Sequence, residues 1–416
     1  MRVLAIAPEP FFTPRGTPFS VYFRCLAMSG HGAEIDLLTH GHGSEVDVPR
    51  MRIIRIPRFF LRRPVKVGPS FAKAFCDFWL FVWTVALMIR RRYDVVHAHE
   101  ESAFFSLFLA RLFRVNFIYD MHSSLPEQLT HFGYRRSGFI VGLFRRLERM
   151  CLRQSDVVIT ISPALEDYAR SRMPDPQRHF LIENSVVEEV RLRGESTGDE
   201  AVELEWLDDS LARGDRIVAY AGTFEPYQGL DLLLEAFANL VDGCKNARLL
   251  LIGGSHEQVE RYRALASRLS LDGRCLLTGT MGQSQVRQLL SRVDVLVSPR
   301  LGGTNTPLKV YEQLASGVPL VATRVLAHTQ VLDDEISVLV EPTPVELATG
   351  IRRVLEDPAA GREMGRRAKA AYEKRYGWDA YFQKTGHMLS RLRSVEESPR
   401  SSSEPEETVA AAKRAS

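Results

Sequence analysis

Cysteine is scarce in this chain of 416 residues: Cys25, Cys76, Cys151, Cys244 and Cys275 are scattered, odd in number and contain no C-x-x-C pair. That pattern argues against a zinc site and a disulfide framework, and predicts reduced thiols in a cytoplasmic setting. Net charge is also low, +3, which gives no overall polycation for nucleic acid. The opening run, MRVLAIAPEP, is too short in apolar residues for a signal peptide and predicts a first buried strand instead. No P-loop, H-E-x-x-H, G-x-S-x-G or EF-hand pattern occurs, so the chemistries those motifs carry are not expected. No cluster with metal-ligand spacing stands out, and neither a metal nor a cofactor is expected. One absence is local: no acidic residue lies between Pro49 and Cys76.

What is present is ordinary for a globular protein: 45% hydrophobic and 25% charged residues. The length exceeds one core and predicts two domains and a tail. Residues 1–7 read as a strand, followed by a loop with Pro14, Gly16 and Pro18, a helix from Pro18 to Ser29 and a strand over 33–39. Strand, glycine loop, helix, strand opens a doubly wound sheet, whose ligands sit at the carboxyl ends of strands. Further strands are expected at 94–98, ending in His99 and Glu100, and at 115–120, ending in Asp120 and His122. These two polar clusters should converge on one crevice. Residues 188–215 turn acidic and polar and read as a linker. A second strand–loop–helix series starts at Arg216, and helices are expected over 344–356, 359–375 and 378–393. From about Glu396 the chain is rich in Ser, Glu and Pro and reads as a disordered tail.

The stretch Asp294–Thr323, DVLVSPRLGGTNTPLKVYEQLASGVPLVAT, organises the second half. An apolar run suits a buried parallel strand. A loop with Gly302 and Gly303 follows, and Thr306 is placed to cap a helix that Pro307 begins. Gly317 stops that helix and Pro319 prevents its continuation. Free N–H groups at such a helix start suit phosphate. Lys309 adds a cation in the first turn, and Glu312 follows three residues later on a similar face. An ordinary capped β-α-β unit accounts for the same pattern without a ligand.

The missing acids at 50–75 leave a basic segment, RMRIIRIPRFFLRRPVK, before the apolar FAKAFCDFWLFVWTVALMI. Lys73 and Asp77 inside the second run, and its β-α-β surroundings, argue against a membrane span despite its length. Two readings stay open for 50–92: a patch for anionic lipid headgroups, or a solvated basic loop before a buried helix. Arg145, Arg146, Glu148 and Arg149 read as a solvated helix face.

Several elements together resemble the family 4 glycosyltransferases: VVHAH at 95–99, D-x-H at 120–122, SDVVITIS at 155–162, Asn184, YAGTFEPYQGLDLLLEAF at 220–237, LLIGG at 250–254, and P-L-K-x-x-E with A-S-G-V-P-L-V-A-T. The resemblance covers most of residues 1–390. It implies an α/β fold of the GT-B type: two doubly wound Rossmann-like domains (1–187 and 216–376) facing a cleft, and a helix over 377–395 crossing back to the first domain. It also implies a retaining hexosyltransferase using a nucleotide-diphosphate sugar, UDP- before GDP-, and a lipid-linked or polysaccharide acceptor. The implied catalytic residues are His122, Lys309 and Glu312. The implied donor contacts are Gly16, Gly222, Thr223, Gln228, Gly253, Arg300, Thr304, Asn305, Thr306 and Leu308; Glu100 and Asp120 lie on the acceptor side. The family's diphosphate-gripping Arg and Lys are here Thr223 and Gln228, and the first glutamate of its pair is Thr304. Lys309 and the loop backbone are expected to replace that charge. A catalytically degenerate sugar-nucleotide binder or scaffold is the alternative; an epimerase of the same fold would not be expected to carry P-L-K-x-x-E.

Overall fold

A computed structural model describes residues 1–13, 16–58, 70–127, 138–185 and 204–397, with side chains to residue 392. The expected linker over 188–203, the basic cluster Arg62, Arg63 and Lys66, and the tail from 398 lie outside the described residues.

The first sheet contains β1 (Arg2–Ala7), β2 (Glu34–Thr39), β3 (Met51–Arg55), β4 (Val95–His99), β5 (Asn116–Met121), β6 (Val157–Thr160) and β7 (His179–Leu181), in the spatial order 3-2-1-4-5-6-7. The second contains β8 (Arg216–Ala221), β9 (Ala247–Ile252), β10 (Cys275–Gly279), β11 (Val295–Ser298), β12 (Leu320–Thr323) and β13 (Val338–Val340), in the order 10-9-8-11-12-13. All the strand pairings are parallel. Parallel strands joined by helices are covered on both faces, which explains their near-continuous apolar sequences. Alternation along β1 sends Val3, Ala5 and Ala7 into one core and Leu4 and Ile6 into another. In β8, Val218 and Tyr220 likewise part from Ile217 and Ala219.

Strand order reverses between β1 and β4 and again between β8 and β11. At such switch points adjacent loops diverge and open a crevice beyond the carboxyl ends. The loops after β1, β4, β8 and β11 hold most of the expected site residues. Helix Trp378–Glu397 returns to the first sheet, where Tyr381, Met388, Leu389 and Leu392 join the core containing Val3, Val21 and Met28.

Local differences from expectation have simple causes. Strand β3 was not foreseen, because its sequence, MRIIR, mixes charge with apolar residues at a sheet edge. Helix Glu205–Ala212, expected within the linker, packs on the second domain through the wholly buried Leu207. The first helix begins at Gly16. Helix Leu308–Ser316 has Pro307 as its N-cap and no side-chain cap bond, so Thr306 is not the cap. Pro307 is extended, with ψ 145°, leaving Lys309 as the second residue of the helix.

Candidate active site

The residues expected to contact the donor gather at the β8/β11 switch point. Gly253 has φ +128°, and a side chain there would start 1.9 Å from the Gly222 carbonyl oxygen. Glycine therefore lets the ends of β8 and β9 close on each other. Gly229, at φ +76°, meets the same requirement against the carbonyl of Pro299, 2.0 Å from where a Cβ would stand. These close approaches bring the loop after β8 beneath the loop after β11, where the Leu301 amide donates to the Tyr227 carbonyl.

Lys309 reaches back across this junction. Its Nζ donates to Gln228 Oε1 at 2.7 Å and lies 4.3 Å from the centre of the Tyr220 ring. Gln228 Nε2 continues to Thr223 Oγ1 at 3.4 Å, and the Tyr220 hydroxyl donates to the Thr223 carbonyl at 2.7 Å. Arg300 folds over Tyr227, 5.1 Å from its ring centre, and its Nε donates to Gly302 O at 2.6 Å. Burial, with the neighbouring Arg300 charge, lowers the Lys309 pKa to about 7, and Glu312 only partly opposes this. Glu312 stays open to solvent, but the protein around it raises its pKa against the pull of Arg287 and Lys309. Arg300 and Lys309 thus crowd two cationic groups at this junction, and a bound anion would relieve the strain that lowers the Lys309 pKa.

The residues expected on the acceptor side lie at the ends of β4 and β5. His99 Nδ1 and His122 Nε2 are 3.0 Å apart. Asp120 lies beneath them, wholly buried, with Oδ2 3.0 Å from His97 Nε2 and 3.0 Å from Arg24 Nε. Arg24 holds the Asp120 carboxyl well below its usual range, overcoming the opposing effect of burial. Burial lowers the pKa of His122 and, more strongly, of His99. Glu100 sits at φ 50° and accepts from Ser123 Oγ at 3.1 Å; burial and the neighbouring Glu101 push it up to about 8. The ligand atoms of His97, His99 and Asp120 lie within 4.8 Å of one another. Asp120 Oδ2 accepts from the Arg24 guanidinium, while Asp120 Oδ1 is buried without a hydrogen-bond partner among the described residues.

The halves touch. Asn305, in the loop after β11, donates through Nδ2 to the His122 carbonyl at 2.8 Å and accepts from Ser162 Oγ at 3.5 Å. Gln330 accepts from the Ala164 amide at 2.9 Å and donates to the Thr304 carbonyl at 2.7 Å. Leu308 packs against the first domain's core.

Two family models match the chain: Glycosyltransferase Family 4 over residues 16–190 and Glycosyl transferases group 1 over residues 215–357. Between them they span most of both domains. The chain belongs to glycosyltransferase family 4. A phosphatidyl-myo-inositol mannosyltransferase of Mycobacterium tuberculosis is 23% identical over 389 residues, 91% of this chain and 93% of that protein. The sucrose-phosphate synthase of Thermosynechococcus elongatus superposes with TM-score 0.72 at 20% identity, covering 95% of this chain and 100% of that one. Anabaena HepE, solved in complex with UDP, superposes with TM-score 0.67 at 15% identity, over 94% and 100% of the two chains. The GT-B expectation holds: both sheets and the returning helix are present.

Within this glycosyltransferase the expected residues separate into groups. Gly222, Thr223, Gln228, Gly253, Arg300, Lys309 and Glu312 gather at the β8/β11 switch point. His122 and Glu100 stand at the acceptor side, and a Cβ on Gly16 would meet nothing within 4 Å. Asp120 is wholly buried beneath His122. Asn305 spends its side chain across the cleft, and Thr304 engages Gln330 through its carbonyl. Arg24, His97 and Tyr220 were missed. Only Arg24 left a signal: it is the lone cation in VYFRCLAMSG, within an apolar helix buried on nearly every side.

Among the described residues, five basic side chains of the segment have partners within the protein. Arg52 and Arg91 pair with Asp36, Arg55 with Glu45, Lys73 with Glu101, and Arg58 donates to the Gly41 carbonyl. Helix Phe71–Arg90 is long and apolar enough to cross a membrane. It buries Cys76, Leu80, Thr84 and Met88, one stripe against the sheet. Phe71, Phe78 and Ile89 remain exposed, as do Phe108 and Leu112 of helix Ser102–Phe113 and Phe139 and Leu143 of helix Gly138–Gln154. On that last helix Arg145, Arg146, Arg149 and Arg153 line a groove of about 650 Å³.

Proposed function

We propose that this glycosyltransferase is a retaining, metal-independent hexosyltransferase that takes a nucleotide-diphosphate sugar, UDP- before GDP-, and glycosylates a lipid-linked acceptor at a cytoplasmic membrane face. The observation that carries the reading is the bond from Asn305 to the His122 carbonyl, which sets the donor loop against the residue expected to face the transferred sugar. Glu312 accepts from the ribose hydroxyls. Lys309, released from Gln228, and the helix start at Leu308 receive the diphosphate and stabilise the charge that grows on it as the glycosidic bond breaks. The bond from the anomeric carbon to phosphate oxygen breaks while the acceptor oxygen bonds to the same face. The acceptor proton passes to the leaving diphosphate, so no protein base is assigned. Closure across Asn305 and Gln330 excludes water from the transfer.

UDP is favoured because HepE, of the same fold, was solved with it. The lipid side is supported by the mannosyltransferase relative and by the exposed aromatic and aliphatic residues of the first domain, flanked by arginines. Such a face fits the interfacial region of an anionic bilayer. The lipid patch therefore centres on the three helices, not on residues 50–58. The test is transfer from a panel of UDP-, GDP- and ADP-sugars to lipid-linked and polysaccharide acceptors, with anomeric configuration read by NMR. Turnover with one donor and retention is expected. Loss of the family's two phosphate cations favours a second reading, a binder without turnover; donor binding without nucleotide release under every acceptor would establish it.

A further inference from the structure

We propose that Arg24 is a positioning residue for His122: it holds the Asp120 carboxylate and through it fixes the state and orientation of the ring at the cleft. The proposal rests on His122 facing the transferred sugar. Arg24 is 1% exposed, on the inner face of helix Gly16–Gly30. A buried guanidinium carries a desolvation cost of several kcal/mol, and an apolar pair of similar volume would serve packing at least as well. Its retention thus calls for a role other than packing. Three elements hold it. Nε donates to Asp120 Oδ2 at 3.0 Å, at the end of β5; Nη2 donates to the Ile182 carbonyl at 3.4 Å, just past β7; and Cζ lies 5.2 Å from the ring centre of Tyr381, on the returning helix.

Asp120 is the hub of three imidazoles. Besides the bond to His97, its oxygens lie 3.5 Å from His122 Nε2 and 3.7 Å from His99 Nδ1. The groups facing this carboxylate are Arg24 and Cys25 from the first helix, His97 and His99 from β4, His122 itself, and Tyr381 from the returning helix. The carboxylate needs one positive charge. Arg24 supplies it permanently, since a guanidinium does not deprotonate in a protein. The imidazoles can then stay neutral; His97 Nε2 donates to Asp120, and of His99 Nδ1 and His122 Nε2, which share a hydrogen bond, one carries the proton and the other accepts it. Without Arg24 the nearest available cation is a protonated histidine. An imidazolium at His122 would oppose the positive charge that develops on a sugar leaving its diphosphate. The Arg24–Asp120 pair thus keeps His122 a neutral hydrogen-bonding group. Tyr381 links this setting to the seating of the returning helix.

The test uses the full chain and Arg24→Gln and Arg24→Lys variants, each checked for fold by circular dichroism and melting. Histidine ring protonation and tautomer are read by long-range 1H–15N NMR, which needs no turnover. In the wild type His122 should stay neutral in a single tautomer across the neutral range. In Arg24→Gln its titration should move upward, and Arg24→Lys should restore the wild-type state. Transfer by Arg24→Gln should lose about 10–100-fold in kcat, the range seen when the orienting partner of a metal-bound histidine is removed, with an acid limb moved to higher pH and donor binding unchanged. A His122 titration and tautomer identical to wild type in folded Arg24→Gln would overturn the proposal. Where Arg24→Gln does not fold, Arg24→Met/Asp120→Asn removes both charges together; a mixed His122 tautomer is expected there, and a wild-type tautomer overturns the proposal. Absent transfer in the wild type would instead count against the hexosyltransferase reading and leave the NMR result standing.

Discussion

Donor binding should draw a proton onto Lys309. Its pKa of about 7 in the free protein reflects burial and the nearby Arg300. A bound diphosphate places two negative charges beside it and favours the ammonium form, raising the pKa by several units. The diphosphate of a nucleotide sugar is esterified at both ends and carries no proton near neutrality, so uptake reports on the protein. With a bound pKa near ~10, about half a proton enters at pH 7 and about 0.9 at pH 8. The sign follows: the bound state holds more protons, so affinity is greatest below the free pKa and falls as pH rises above it. The same linkage makes donor affinity about 40-fold weaker at pH 9 than at pH 7. Calorimetry in buffers of different ionisation enthalpy reads the uptake directly. Lys309→Arg should keep the charge and abolish uptake, while Lys309→Gln should abolish uptake and weaken binding by roughly tenfold or more, the value of a charge-assisted phosphate contact at about 1.5–3 kcal/mol. Buffer-independent heats together with a flat affinity between pH 7 and pH 9 in the wild type would refute the reasoning.

Other outcomes can be stated briefly. Glu312→Ala should bind the donor at least about tenfold more weakly, through loss of a charged hydrogen-bond acceptor, with melting within a few degrees of wild type; equal binding would remove its ribose role. Asn305→Ala frees the donor loop from the His122 carbonyl and should raise donor hydrolysis relative to transfer, which product analysis would detect. Gly253→Ala should destabilise the second domain by roughly 1–3 kcal/mol or more, read from denaturant melts, because its Cβ collides with the Gly222 carbonyl at a left-handed φ. Phe139→Ser with Leu143→Ser should reduce sedimentation with phosphatidylglycerol vesicles but not donor affinity; unchanged sedimentation would displace the proposed lipid face.

Much of the frame was legible in the sequence because its signals are local. Buried parallel strands are apolar along their whole length, so VVHAH, RIVAYA and DVLVSP announced themselves without partners. Helix stops at Gly32 and Gly317, both at left-handed φ, are set by backbone conformation over a few residues. Lys309 and Glu312 could be singled out because both lie within one helical turn of a glycine loop. An edge strand such as MRIIR gave no such signal, since half of its environment is solvent.

Taken alone, then, the sequence determined two doubly wound sheets, the order of loops at their carboxyl ends, and the residues from which a donor site could be made. Tertiary structure decided which of those residues meet. Gln228 meets Lys309 from 81 residues away, Arg24 meets Asp120 from 96, and Asn305 meets the His122 carbonyl from 183. Burial at those meetings sets the charge on Lys309 and the neutrality of His122. The physical reason is that periodicity and turn chemistry are read over a few neighbours, whereas desolvation and charge balance depend on every group that folding brings within a few ångströms.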